Sequence, residues 1–144
     1  NRSTHDGERT ATIRCFHGTH TLTAGGCDGL DTRRADLTQH AELNVVVKAT
    51  HHGLSSADLQ TATLYTSCEP CPMCLSAIYW ARLDRIFYGN TKVDAAEIDF
   101  DDDFLYTEIP KPIGERSIPA EQMLHEESIK AFEAWAVSEN KVPY

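Results

Sequence analysis

The 144-residue sequence is short of basic residues: 13 Lys and Arg stand against 22 Asp and Glu, a net charge of −9. A field of that sign repels phosphate backbones, and no basic cluster longer than Arg33-Arg34 offsets it locally. Long nucleic acid is therefore not the expected partner. No apolar run approaches the ~18–20 residues of a membrane-spanning helix, so no membrane is expected either. The stretch Asn1 to Glu8 is polar and does not read as a secretory signal. Internal repeats and low-complexity linkers are absent. With 41% hydrophobic and 24% charged residues, the composition is globular, which excludes wholesale disorder. The length suits one domain, large enough for a core without disulfide staples. Cysteines number five, an odd count, and three of them (Cys68, Cys71 and Cys74) crowd into one short stretch. That is a poor disulfide framework and a good metal or redox cluster, and it places the chain in a reducing compartment, the cytosol.

Local patterns give the order of elements. Ala11–His17 and Thr19–Ala24 read as the two strands of a hairpin turned at Gly18. Residues 25–39 are Gly-rich and then polar, a loop. From Ala41 to Thr50 the chain is apolar on nearly every side, which suits a buried helix starting near Thr38 and closed by Gly53 as its C′ glycine. Residues Ala62–Thr66 form a strand whose mixed alternation predicts burial on both faces. Pro70 stands where the next helix would start, and Arg85–Tyr88 is another short strand. Strand, helix and strand in that order predict a parallel βαβ unit with a right-handed crossover. An acidic, partly helical stretch runs from Val93 to Phe104. Ser128–Val137 reads as an amphipathic helix with Ile129, Phe132 and Trp135 toward the core.

The chemistry gathers in His40, Glu42, Cys71 and Cys74. Two cysteines at i and i+3 share a helix face, and the N-terminal dipole of that helix favours their thiolates. An imidazole from a second helix supplies a third donor. Ligands of type S, S and N suit Zn²⁺, and three protein ligands leave a fourth position open to water. Glu42, two residues after His40, lies close to such a metal without ligating it, where a carboxylate shuttles protons. The combination of His-x-Glu with Pro-Cys-x-x-Cys is the zinc deaminase signature. Either half alone is weak. A redox pair of Cys71 and Cys74 leaves His40 and Glu42 without a role, and a structural zinc site needs a fourth ligand, for which Cys68 is the only nearby candidate. Cys68 reads better as a small packing residue at a strand end. His51 and His52 read as caps at a helix C-terminus.

These residues resemble the cytidine deaminase-like superfamily, and most closely its bacterial-type guanine deaminases. The resemblance is carried by residues 36–42, by Leu64 to Cys74, by Ala77 to Arg82, by Asp94 to Glu97, by Phe100 to Asp102, by Lys111 to Pro119 and by the tail from Ala131 to Tyr144. It implies a three-layer α/β/α sandwich around a five-stranded mixed sheet. It also implies one zinc deaminase domain over residues 1–144, with the segment from about 126 to 144 exchanged onto a partner in a homodimer. The implied reaction is hydrolysis of guanine to xanthine and ammonia. His40, Cys71 and Cys74 would hold Zn²⁺. Glu42 would carry protons from water to the ring and the leaving amine. Asp102 would contact the purine and assist proton transfer, and Tyr144 would reach the partner's site. Asp28 falls where relatives carry a purine-binding asparagine. The family's leading helix has no counterpart here, and its loss would leave one sheet face uncovered.

Within this class, guanosine or another small ring such as cytosine competes with guanine as substrate. Adenosine in transfer RNA shares the zinc motif, but the acidic last quarter (Glu121, Glu126, Glu127, Glu133, Glu139) does not suit phosphates. A non-catalytic zinc scaffold is the alternative of another class, and it has no use for Glu42.

Overall fold

The computed structural model describes residues 11–16, 19–24, 38–100 and 102–141. The elements run β1 (Ala11–Phe16), β2 (Thr19–Ala24), α1 (Ala41–His51), α2 (Ser56–Leu59), β3 (Thr63–Cys68), α3 (Pro72–Ala81), β4 (Arg85–Asn90), α4 (Lys92–Ala96), α5 (Asp103–Glu108), a 3-10 turn (Ile113–Glu115) and α6 (His125–Val137). Contacts divide the chain into two compact units, residues 1–106 and 107–144.

The first unit holds a mixed sheet in the order β1-β2-β3-β4. β1 and β2 pair antiparallel as the expected hairpin, while β2, β3 and β4 are parallel. The β3-α3-β4 segment is thus the expected βαβ unit. Four strands are seen among the described residues, against an expectation of five. The helices lie against a row across the sheet in which Leu22, Leu64 and Ile86 are register partners. Leu22, Leu64, Val45 and Ala49 are fully buried, and Val46, Leu59, Ala62 and Ile78 complete the core. Burying such side chains stabilises the fold by about 1.5–3 kcal/mol each.

On β3, the sequence expectation of two buried faces is corrected. Leu64 and Thr66 point into the core, while Tyr65 points away, 44% exposed. Its ring stacks on Phe87 of β4 at a centroid distance of 5.1 Å. The apparent double burial came from this cross-strand aromatic pair, which gains from ring contact without being covered.

Both site-bearing helices start later than expected. α1 begins at Ala41 with His40 as its N-cap, and α3 begins at Pro72 with Cys71 as its N-cap. A residue before proline is pushed out of helical geometry, and Cys71 is extended, with ψ 164°. Pro72, not Pro70, therefore occupies the first helical position. The other end of α1 matches the expectation. Gly53 has φ +88°, its N–H donates to Thr50 O, and the N–H of Leu54 donates to Ala49 O, which closes a Schellman motif. His51 and His52 are exposed at this end.

The second unit carries α6. Ile129 is half-buried there, but Phe132 and Trp135 are exposed, contrary to the expectation that all three face a core. Among the unit's described residues only Glu108 is buried. One helix and a short turn have too little apolar surface of their own to enclose such side chains.

Candidate metal centre

His40, Cys71 and Cys74 come together although 31 residues of chain separate the first two. Their ligand atoms all lie within 4.8 Å of one another. His40 Nδ1 is 3.5 Å from Cys71 Sγ. Ligand–ligand separations around tetrahedral zinc are about 3.5–3.8 Å, so the cluster needs little closure to hold the ion. Local structure explains why these side chains are available. As N-caps, His40 and Cys71 would ordinarily bond to their own helix, yet neither side chain makes a capping hydrogen bond. Cys74 sits three residues into α3 and is fully buried. The N-termini of α1 and α3 thus both face the cluster, and their dipoles favour anionic sulfur.

The titration behaviour follows from this crowding. The Cys71 thiol is lowered to about 4, first by the hydrogen bond with Cys74 and, against the cost of burial, by the bond with His40. The Cys74 thiol is raised, first by its hydrogen bond to Cys71, then by burial and by the charges of Cys71 and Glu42. His40 is raised by its hydrogen bond with Cys71, against the opposing effect of burial. One proton leaves the cysteine pair readily, and the second is held by the first thiolate. A divalent cation is the species that releases it. The donor set N, S, S therefore fits Zn²⁺, and three protein ligands leave one position of a tetrahedral ion unfilled.

Glu42 is buried beside the cluster in the second position of α1. Its Oε2 is 3.7 Å from Cys74 Sγ, which donates to it. Its Oε1 accepts a 2.5 Å hydrogen bond from Thr66 Oγ1. Asp102 lies just ahead of α5, and its Oδ1 is buried with no hydrogen-bond partner among the described residues. Burial raises its carboxyl pKa first, followed by the charge of Cys71. Asp102 thus shares the electrostatic neighbourhood of the cluster. Asp28 and Tyr144 lie outside the described residues.

Two contributors escaped the sequence reading. Thr66 had one usable signal, a polar residue at an inward strand position next to Leu64. Tyr106 had none, since its hydroxyl bonds to the carbonyl of Pro70, 36 residues away.

Residues 8–90 match the family described as the cytidine and deoxycytidylate deaminase zinc-binding region. Guanine deaminase of Bacillus subtilis is 49% identical over 113 residues, which span 78% of this chain and 72% of that protein. An X-ray structure of guanine deaminase from Bacillus subtilis superposes with a TM-score of 0.71 at 45% identity, covering 79% of this chain and 71% of the other. A tRNA-specific adenosine deaminase of Agrobacterium fabrum is 43% identical over 54 residues, 38% of this chain and 35% of its own. His40, Cys71 and Cys74 all lie within the matched residues, and the chain belongs to the cytidine and deoxycytidylate deaminase zinc-binding family.

Proposed function

We propose that this chain deaminates guanine hydrolytically: water adds at C2, the C2–N bond breaks, and xanthine and ammonia leave. The observation that carries the reading is Glu42, buried against a three-ligand metal cluster with Oε2 on the cluster side. A scaffold that uses zinc only for stability gains nothing from a buried carboxylate at that place. The extended likeness to guanine deaminase supports the choice of ring.

His40 Nδ1, Cys71 Sγ and Cys74 Sγ would hold the ion. Zinc held there supplies a Lewis acid that makes water a nucleophile near neutral pH. Glu42 would take a proton from the attacking water at Oε2 and give it to the ring nitrogen, then take the hydroxyl proton of the adduct and pass it to the departing amine as the carbonyl forms. Asp102 offers its unpartnered Oδ1 to the N–H donors on the guanine edge and assists proton transfer. A buried acceptor without a partner is costly, and a substrate N–H removes that cost. Asp28 and Tyr144 complete the purine contacts in this reading.

The reading extends to assembly. Residues 1–144 form one deaminase domain in a three-layer sandwich with a fifth strand, and the segment from about 126 to 144 exchanges between the subunits of a homodimer. Exposed Phe132 and Trp135, one helical turn apart, support a covering partner for α6. Cys71 and Cys74 stand as thiols and not as a disulfide, which suits a reducing cytosol. No helix among the described residues is long and apolar enough to cross a membrane.

The test is ammonia release by the zinc-loaded protein offered guanine, guanosine, cytosine and adenine in parallel. Release from guanine above the other three is expected. Release from another ring instead keeps the zinc chemistry and overturns the substrate.

A further inference from the structure

We propose that Thr66 is a positioning residue for Glu42: its hydroxyl holds Oε1, so that Oε2 is the oxygen presented to the metal-binding cluster. This rests on the catalytic reading of Glu42 given above and adds a device to it.

A glutamate side chain has three rotatable bonds, and its two oxygens are chemically equivalent. Something must break that equivalence if one oxygen is to face the reacting atoms. Here the two oxygens have different partners. Oε2 meets Cys74 Sγ at 3.7 Å and Oε1 meets Thr66 Oγ1 at 2.5 Å. Thr66 is the hydroxyl donor to Glu42 among the described residues, and it bonds the oxygen that Cys74 does not. The anchor is on rigid ground. Thr66 is buried, lies between the partners Ala24 of β2 and Tyr88 of β4, and is two residues from core residue Leu64. Its branched Cβ restricts the hydroxyl further. A hydroxyl at an inward strand position is unfavourable unless it is bonded, and this one has a single bond, to Glu42. Thr66 therefore contributes geometry: its side-chain hydrogen bond goes to the carboxylate, and it acts through that group.

The experiment compares Thr66→Val, which keeps the branched shape and removes the donor, with Thr66→Ser, which keeps the donor. Zinc per chain, melting temperature, kcat and KM with guanine are measured for each. A second readout is the ¹³C resonance of the Glu42 carboxylate, assigned by its absence in Glu42→Gln. The valine variant is expected to lose about ten- to a hundredfold in kcat, the scale of a misplaced catalytic group, with KM and zinc content near wild type. Serine is expected to restore most of the rate. The Glu42 resonance should shift in the valine variant and return in the serine variant. A valine variant with wild-type kcat and an unmoved resonance overturns the proposal, as does an equal loss in both variants. If the wild-type protein releases no ammonia from guanine, the functional reading fails, and the resonance still decides the contact. Should valine prevent folding, Thr66→Ala removes the donor without the branch and is held to the same outcomes.

Discussion

The Tyr106 hydroxyl donates a 2.8 Å hydrogen bond to the carbonyl oxygen of Pro70, the residue before Cys71. This bond fastens α5 to the segment that leads into the metal cluster. Asp102 lies four residues before Tyr106, so the bond also fixes where Asp102 stands. Burial first, then the charges of Glu69 and Asp102, push the phenol up to about 12, so it remains a donor across the working pH range. Lys92 supports the same contact from above, 4.4 Å from the ring centroid and 3.4 Å from Asp103. Tyr106→Phe removes one hydrogen bond of about 1 kcal/mol, which is about fivefold in kcat/KM. Steady-state kinetics should place the loss mainly in KM for guanine, with zinc content unchanged.

Removal of a ligand acts on the metal itself. Cys74→Ser and His40→Ala should each weaken zinc binding by at least about a hundredfold, since losing even an outer-sphere partner costs 10–100-fold. Metal analysis after dialysis against a weak chelator should find well under one zinc per chain in both. Wild-type protein stripped by a strong chelator should regain ammonia release when zinc is returned.

Glu108 gives the second unit an acid limit. It bonds Lys111 Nζ at 2.6 Å and accepts from the N–H of Ser117. The Lys111 bond, followed by the Ser117 contacts, lowers its carboxyl from 4.5 to about 2. A lowered folded-state value means that the contribution is present above about pH 4.5 and fades as pH falls toward 2. Thermal melts should therefore separate wild type from Glu108→Gln at pH 7, and the gap should narrow at pH 3.

The core beneath the site is held by few large side chains. Leu64→Ala should cost about 2–5 kcal/mol, because Leu64 is fully buried between register partners Leu22 and Ile86. Urea unfolding with an unchanged slope would measure it directly.

Much of the centre could be read from the sequence, because its ligands announce themselves by type and spacing. His40 and Glu42, with Cys71 and Cys74, needed only the knowledge that helix starts converge. Gly53 was readable because a left-handed C′ position favours glycine. The start of α3 was misread although the signal was present: with Pro70 and Pro72 flanking Cys71, the second proline decides, since it bars Cys71 from the helix. The bonds made by Thr66 and Tyr106 were out of reach for another reason. Their partners lie 24 and 36 residues away, and local periodicity carries no information about such pairs. The exposed apolar residues of α6 were misassigned because an amphipathic stripe says that a face wants covering, not what covers it.

The most direct test is xanthine formation from guanine by zinc-loaded wild type and by Glu42→Gln, with zinc per chain measured on the same samples. The predicted result is one zinc per chain in both proteins and xanthine from the wild type alone. Xanthine from Glu42→Gln at the wild-type rate, or none from a fully zinc-loaded wild type, would contradict the assignment of Glu42 as the proton carrier of a guanine deaminase.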